Sequence, residues 1–206
     1  MKSMYIGSGD VAALLAGLQT KTHQKLLKRF VSNEKPYYNA KASPIDALRT
    51  GAIIEDRYGL LLPDDYYPQY KAVCEIQDVL TCSLDFAKLE KGNIVDFQEL
   101  KSCSFNDFLE FENYRNDSKK GIDYIKKRYK SNYNQIQEQL LCTGLDSAEL
   151  VFVAVYTYED EVNYNRDIKE NEIIKFRIKK DQDVIVKIID RSNIFQTIKD
   201  AYNVRN

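Results

Sequence analysis

The sequence predicts a mixed α/β fold in which a central mixed sheet is flanked by helices. The predicted elements follow the order helices, a three-strand meander, helix, strand, strand, helix, which is typical of such a sheet. The run "ELVFVAVYTY" (149–158) is apolar throughout, the pattern of a central strand covered on both faces. The chain has 206 residues, of which 44% are hydrophobic, enough for one sizeable core. We therefore expect one domain spanning residues 1–206.

The first third of the chain is predicted to be helical. "GSGDVAALLAGL" has the pattern of a short helix, with Ser8 or Asp10 near its start as a cap. A basic amphipathic helix, a loop and a helix opened by Ser43-Pro44 are expected to follow, at 21–31, 33–44 and 44–61.

The meander and the C-terminal half follow from apolar alternation and turn residues. Strands are predicted at about 69–76, 79–86 and 93–101, and "EKGN" has the composition of a hairpin turn. Helices are predicted at about 106–112 and 122–142, the second ending at Thr143-Gly144. The two later strands are predicted at 149–158 and, with edge character, at 171–180, before a closing helix at 186–202.

Composition limits the partners of the chain. Lysine and arginine number 30 and aspartate and glutamate 31, so the net charge of −1 gives no general basic field, and nucleic-acid binding requires a local patch. No apolar run has the length of a membrane span, and the N-terminus lacks the apolar region of a signal peptide. We expect a soluble protein in the cytoplasm of a bacterium or of a phage-infected host, without a membrane partner.

The four cysteines and the single histidine do not form a sequence motif. No cysteine pair has the close spacing of a zinc or iron–sulfur site, so buried thiols in a reducing compartment are expected. His23 lies in a basic helical stretch, which disfavours a role as a catalytic base.

One predicted strand places charged residues on its apolar face. In "GNIVDFQELKS", Val95 and Phe97 share a face by alternation, and the next two positions on that face are Glu99 and Lys101. Burying charges is unfavourable unless they are paired or bind a metal. The alternative is a solvated ion pair at the end of a sheet.

Asp85 supports a metal-binding interpretation of this pair. Leu80, Cys82, Leu84 and Phe86 are expected on one face of the preceding strand, with Asp85 on the other. If the hairpin turns the chain back, Asp85 and Glu99 become neighbours, and a divalent cation would relieve their repulsion. Mg²⁺ prefers such oxygen ligands, and the backbone carbonyl of Leu100 could supply another. Lys101 could position or deprotonate a water molecule, or stabilise charge on a phosphate.

Two further polar residues fall beside apolar stripes of predicted helices. Glu55 lies in line with Leu48, Ala52 and Gly59 and could face the metal site; the alternative is a helix-end carboxylate that reaches water. Gln135 flanks a stripe formed by Tyr129, Ile136 and Leu140, and its neutral amide could orient water; the alternative is a solvated polar face.

Two basic clusters are candidates for contact with DNA phosphates. One lies in the second predicted helix, and the other leads into the helix of Gln135; an ordinary solvated helix face is the alternative for both. The first consists of Lys21, Lys25, Lys28 and Arg29, and the second of Lys119, Lys120, Lys126, Lys127, Arg128 and Lys130.

The order of these motifs resembles the PD-(D/E)XK nuclease superfamily, and specifically its YqaJ-like viral recombinase branch, the phage lambda exonuclease-like family. "RTGAIIEDRYG" is similar to the glycine–glutamate helix of the family, "QELKS" to its Glu-x-Lys strand and "YNQIQEQLLCTG" to its glutamine helix. "SLDFAK" stands where the family has Ser-Pro-Asp-Gly, so the local turn differs.

The resemblance implies a restriction-endonuclease-like core and a metal-dependent DNA nuclease. Asp85 and Glu99 would bind Mg²⁺ or Mn²⁺, Lys101 would act on the attacking water, and Glu55 and Gln135 would support the same centre. A 5′–3′ exonuclease on duplex DNA is expected, in recombination or phage DNA metabolism, with a single-strand annealing recombinase as partner and a homo-oligomer as assembly. The alternatives are an endonuclease of the same fold and a binding module without turnover.

Overall fold

The computed structural model describes residues 4–32, 45–156 and 166–205. Within these ranges the chain forms one mixed sheet with helices on both faces, as the element order predicts. The predicted loop at 33–44, with Pro44, lies outside the described residues.

The strands of the sheet are β1 (Ile6–Gly7), β2 (Tyr66–Val73), β3 (Leu80–Glu90), β4 (Asn93–Ser104), β5 (Ser147–Val155) and β6 (Ile173–Lys179). Their order is β1-β3-β4-β5-β6, and β2 pairs with β3 outside this path. The pairs β1–β3 and β4–β5 are parallel, and the other pairs are antiparallel. In the described part of the chain β6 pairs only with β5, so its predicted edge character is confirmed.

The helices are α1 (Val11–Leu14), α2 (Lys21–Ser32), α3 (Ile45–Gly59), α4 (Phe105–Glu112), α5 (Ser118–Arg128), α6 (Lys130–Thr143) and α7 (Gln182–Arg205). Short 3-10 turns precede α1 and β6. No helix in the described ranges contains an apolar stretch long enough to cross a bilayer.

The hairpin between β3 and β4 is tight because its two turn residues adopt positive φ. Lys91 has φ 51° and Gly92 has φ 83°, the combination of the hairpin turn that matches strand twist. Pairing therefore extends to Glu90 and Asn93. The prediction of a turn at "EKGN" is confirmed, and β3 is longer than the expected 79–86.

Hydrophobic residues are buried on both sides of the sheet. The main core lies between the sheet and helices α1, α2, α4, α5, α6 and α7, and a smaller core lies under α3. β5 contributes Phe152 to the first core and Val153 to the second, which confirms its central position. His23 is a core residue with 2% exposure whose ring packs against Phe195.

The predicted single helix at 122–142 is wrong, because the chain breaks at Tyr129. This residue has φ −117° and ψ 41°, outside the helical region, and separates α5 from α6. Its ring packs against Phe111 and Phe152, with centroid distances of 5.0 and 5.6 Å. We attribute the break to this aromatic packing, which helical periodicity does not reveal. The predicted stop is confirmed, since Gly144 follows α6 with φ 73°.

Two further details differ from the sequence predictions. Neither Ser8 nor Asp10 caps a helix through its side chain, and Asp10 instead pairs with Arg29 of α2. The closing helix begins earlier than residue 186, at Gln182. Here the Asp181 carbonyl and carboxylate both accept from Val184 N–H, the pattern of a helix start.

Gly121 allows α5 to pack closely against β6. A Cβ at this position would overlap the buried ring of Phe176. We expect Gly121→Ala to destabilise the protein by about 1–3 kcal/mol, because overpacking outweighs the gain of about 1 kcal/mol in helix propensity. Urea unfolding measures the change.

Gly51→Ala is the matched control. Gly51 lies inside α3, and its Cβ would meet nothing within 4 Å. This variant is expected to be more stable by about 0.5–1 kcal/mol. Equal destabilisation of the two variants would contradict the packing explanation.

Candidate active site

The candidate site lies where β3 and β4 separate. Their pairing begins at the hairpin and ends at Phe86 and Gln98, after which β4 continues beside β5. At the point of separation the Asp85 carboxylate accepts a hydrogen bond of 2.8 Å from the backbone N–H of Leu100. Asp85 thus bridges the gap between the two strands, and we call this gap the cleft.

The alternation of side chains along β3 is interrupted at Asp85. Leu84 belongs to the main core, whereas Phe86 belongs to the smaller core on the opposite side of the sheet. The prediction that Phe86 shares a face with Leu80, Cys82 and Leu84 is therefore wrong. Opposite Asp85 on β2, Gln69 has φ 50°, and this irregular pairing interrupts the alternation on which the prediction relied.

Glu99 is the buried centre of the cluster. Its side chain is 1% exposed, whereas the Lys101 side chain is 27% exposed and so reaches solvent. Oε1 of Glu99 accepts from Lys101 Nζ at 2.5 Å and from Gln135 Nε2 at 2.6 Å. The predicted proximity of Glu99, Lys101 and Gln135 is thus present, and these bonds offset the loss of hydration of the carboxylate.

Gln139 is a site residue that the sequence reasoning missed. Its Nε2 donates to Glu99 Oε2 at 2.6 Å and to the Ser83 carbonyl at 3.0 Å. Gln139 lies one helical turn after Gln135, so the i, i+4 spacing was the available signal. Its Oε1 is buried and has no hydrogen-bond partner among the described residues.

Glu55 approaches the cleft from α3. It is half-buried beside a stripe formed by Thr50, Ile54 and Tyr58, whereas Ala52 is exposed. The predicted stripe through Ala52 is therefore not the buried face of the helix. Gln69 Nε2 donates to Glu55, which connects the irregular backbone of β2 to this carboxylate.

Burial and repulsion between carboxylates shift the pKa values of the cluster. Burial raises the pKa of Asp85 to about 8, and the negative charge of Glu99 contributes in the same direction. Burial also raises the pKa of Glu55, although the hydrogen bond from Gln69 opposes the shift. Burial lowers the pKa of Lys101. The negative charges of Glu99 and Asp85 raise it by more, so the pKa of Lys101 lies above its usual value.

These residues have the donor chemistry for a hard divalent cation. Asp85 and Glu99 offer carboxylate oxygens whose mutual repulsion a cation would relieve. In the described part of the chain the three carboxylates do not all lie within 4.8 Å of one another. Asp85 interacts more strongly with Glu99 than with Glu55, so Asp85 and Glu99 are the better pair of ligands.

The predicted basic residues do not join the carboxylate cluster. All six are exposed on α5 or at the start of α6; Lys120 pairs with Asp117, and Lys126 pairs with Asp181. Lys130 also lines a groove of about 510 Å³ between α1, α6 and α7, together with Lys187 and Arg191. Asn134, which precedes Gln135 on α6, lines the same groove.

Comparison with solved structures identifies nuclease folds. An alkaline exonuclease from Laribacter hongkongensis, LHK-Exo, has a TM-score of 0.66 at 15% sequence identity, covering 98% of this chain and 90% of that chain. A phage related exonuclease from Haemophilus somnus 129PT has a TM-score of 0.62 at 13% identity, covering 98% and 96%. No protein-family model and no curated protein matches the sequence. The chain has the fold of these exonucleases, which confirms the predicted fold class.

Proposed function

We propose that this protein is a metal-dependent deoxyribonuclease and that it acts on duplex DNA as a 5′–3′ exonuclease. The observation that carries the proposal is the buried Glu99 with its Lys101 partner, beside Asp85, where two strands separate. The fold shared with two exonucleases supports the same assignment.

The proposed cation is Mg²⁺ or Mn²⁺, held by Asp85, Glu99 and the backbone carbonyl of Leu100. When bound, it would lower the pKa of a water ligand and neutralise charge on the phosphodiester. Glu55 supports this centre from α3, and Gln135 and Gln139 orient the Glu99 carboxylate.

Lys101 is assigned to the attacking water and to the phosphate. Its side chain is partly exposed to solvent, and its raised pKa keeps the ammonium charged. A charged ammonium donates hydrogen bonds and stabilises negative charge. This favours positioning of the water and stabilisation of the phosphate over removal of a proton by Lys101.

Linear and covalently closed circular duplexes of the same sequence test the exonuclease assignment. With Mg²⁺, we expect degradation of the linear form and an intact circle, because an exonuclease requires an end. A 5′ label released before a 3′ label would support the proposed polarity. Cutting of the circle would favour the endonuclease alternative, and DNA binding that does not change with Mg²⁺ and yields no product would favour the binding module.

The basic groove is proposed to hold backbone phosphates beside the site. Replacing Lys130, Lys187 and Arg191 by alanine is expected to weaken DNA binding in a Lys101→Ala background. Each lost phosphate contact should reduce the slope of log affinity against log salt by about 1. Fluorescence anisotropy across a salt series measures both quantities.

Lys175→Ala is the control for this experiment, since Lys175 is an exposed cation near Tyr58 on the opposite side of the sheet. An equal loss in the control would contradict the assignment of the groove. Replacing the five cations of α5, namely Lys119, Lys120, Lys126, Lys127 and Arg128, tests the remaining predicted contacts in the same assay.

Gln69 is expected to act by positioning Glu55. Gln69→Gly accommodates the positive φ but removes the hydrogen bond to Glu55, so we expect a folded variant with about tenfold slower turnover. Steady-state kinetics over a Mg²⁺ series measures the effect. If Glu55→Gln and the double variant are equally slow, the two residues act through one contact; additive losses would contradict this.

The cellular location, the protein partner and the assembly of the chain are further predictions. A DNA substrate is consistent with action in the cytoplasm, and a recombinase partner and a homo-oligomer remain predictions from the family resemblance. Light scattering of the purified chain, with and without DNA, measures the assembly.

A further inference from the structure

A second cluster of metal-ligand side chains lies behind the candidate active site. Cys74 follows the end of β2, Cys82 lies on β3, and Glu138 and Cys142 lie one turn apart on α6. All four are buried, and the three cysteines are free thiols. Their sequence spacing gave no metal motif, because the fold brings them together from three elements.

The ligand atoms of this cluster are close enough to share one ion. The Cys82 and Cys142 sulfurs and a Glu138 oxygen lie within 4.8 Å of one another. Cys142 Sγ lies 3.2 Å from Glu138 Oε1. A tetrahedral zinc site has a sulfur–oxygen edge of about 3.5 Å, from bond lengths of about 2.3 and 2.0 Å. Cys74 is a hydrogen-bond partner of Cys142, although its sulfur is not among the ligand atoms that all lie within 4.8 Å of one another.

Glu138 supplies an independent observation that points to a ligand. Its side chain is fully buried, and Oε2 has no hydrogen-bond partner among the described residues. Oε1 is bonded only to a thiol, which is a weak donor. A buried carboxyl group with one free oxygen is unfavourable without a cation or a further donor, and burial raises its pKa well above the usual range.

We propose that Cys82, Cys142 and Glu138 hold a structural Zn²⁺ ion, and that Cys74, which contacts Cys142, moves into bonding distance as the fourth ligand when the ion binds. Thiolates suit zinc and do not suit Mg²⁺, so this site differs in chemistry from the all-oxygen carboxylate cluster. Binding transfers the thiol protons to solvent as zinc–sulfur bonds form. The proposal does not depend on nuclease activity.

The zinc ion would fix the distance between β3 and α6. Cys82 adjoins Ser83, and Glu138 adjoins Gln139; the Ser83 carbonyl and the Gln139 amide are hydrogen-bonded to each other, and Gln139 also binds Glu99. The ion therefore supports the position of the helix that presents both glutamine amides to the active-site carboxylate.

The test is metal analysis of the full chain purified from zinc-supplemented cells. We expect about one zinc per chain in the wild type, and the same content in an Asp85→Asn/Glu99→Gln variant that lacks the carboxylate ligands. Glu138→Gln and Cys82→Ser/Cys142→Ser should lose the zinc. Cys103→Ser is the matched control, because Cys103 is a buried thiol whose sulfur donates to the Val153 carbonyl outside the cluster.

Replacement of zinc by Co²⁺ in the wild type gives a measurement that does not depend on whether the variants fold. A thiolate-to-cobalt charge-transfer absorption in the near ultraviolet is expected. A folded wild-type protein with neither zinc nor this absorption would overturn the proposal. The same conclusion would follow if zinc were lost with Asp85 and Glu99, or if the unreduced chain contained a disulfide between cysteines of the cluster.

Discussion

Glu99→Gln is expected to abolish nuclease activity, with a loss of at least about 10³-fold in turnover at saturating Mg²⁺. The substitution keeps the shape of the side chain but removes the charge that would bind the cation. It also leaves the Lys101 ammonium without its carboxylate partner at 2.5 Å. Release of nucleotides from linear duplex DNA across a Mg²⁺ series measures the effect.

Folding of this variant is checked separately, because Glu99 accepts bonds from Gln135, Gln139 and Lys101. A loss of about 1–3 kcal/mol in stability is expected from the broken ion pair. Glu149→Gln is the control, since Glu149 lies beside Gln98 on β5 and pairs with Arg177 outside the cleft. An active but less stable Glu99→Gln protein would mean that Glu99 and Lys101 form only a structural ion pair.

Asp85→Asn is expected to abolish activity and yet to stabilise the metal-free protein at alkaline pH. The pKa of Asp85 is about 8 in the folded protein, against about 3.9 in an unfolded chain. Because the folded-state pKa is raised, ionisation of Asp85 disfavours folding: its cost is absent below about pH 4 and grows until about pH 8. Asparagine removes this penalty, which amounts to a few kcal/mol at about 1.4 kcal/mol per pKa unit, and its side-chain oxygen can still accept from Leu100 N–H.

Urea unfolding in EDTA at pH 5 and pH 8.5 measures this difference. The stability difference in favour of the variant should be larger at pH 8.5 than at pH 5. At pH 8.5, Mg²⁺ should stabilise the wild type but not the variant. An Asp85→Asn protein that is no more stable than wild type at pH 8.5 would contradict the raised pKa.

Part of the site was visible in the sequence because charged residues interrupt an apolar pattern. Glu99 and Lys101 occupy the face that Phe97 begins, and only a paired or metal-binding role explains two charges there. Asp85 followed from the hairpin, whose turn residues were recognisable. Glu55 and Gln135 were candidates because they lie beside apolar helical stripes, and the family resemblance favoured them over the alternative of a solvated helix face.

The residues that were missed depend on tertiary structure. Gln69 reaches Glu55 from a backbone with positive φ, which no residue preference predicts for glutamine. The break at Tyr129 follows from aromatic packing with Phe111 and Phe152. Period-two alternation fails at Asp85 because the strand is irregular there, so the position of Phe86 could not be read from it.

The cysteines illustrate the same limit for metal sites. Cys74 and Cys82 lack the close spacing of a zinc motif, Cys142 lies far away in sequence, and all three are buried in the structure. Their convergence on Glu138 depends on the packing of α6 against β3, which the sequence does not specify locally.

The most direct test of the central claim is digestion of linear duplex DNA by wild type and by Lys101→Ala, each with Mg²⁺ and with EDTA. The proposed site predicts Mg²⁺-dependent release of nucleotides by the wild type alone, with both proteins folded. Equal digestion by the two proteins, or no digestion by folded wild type with either Mg²⁺ or Mn²⁺, would contradict the assignment of this cleft as a nuclease active site.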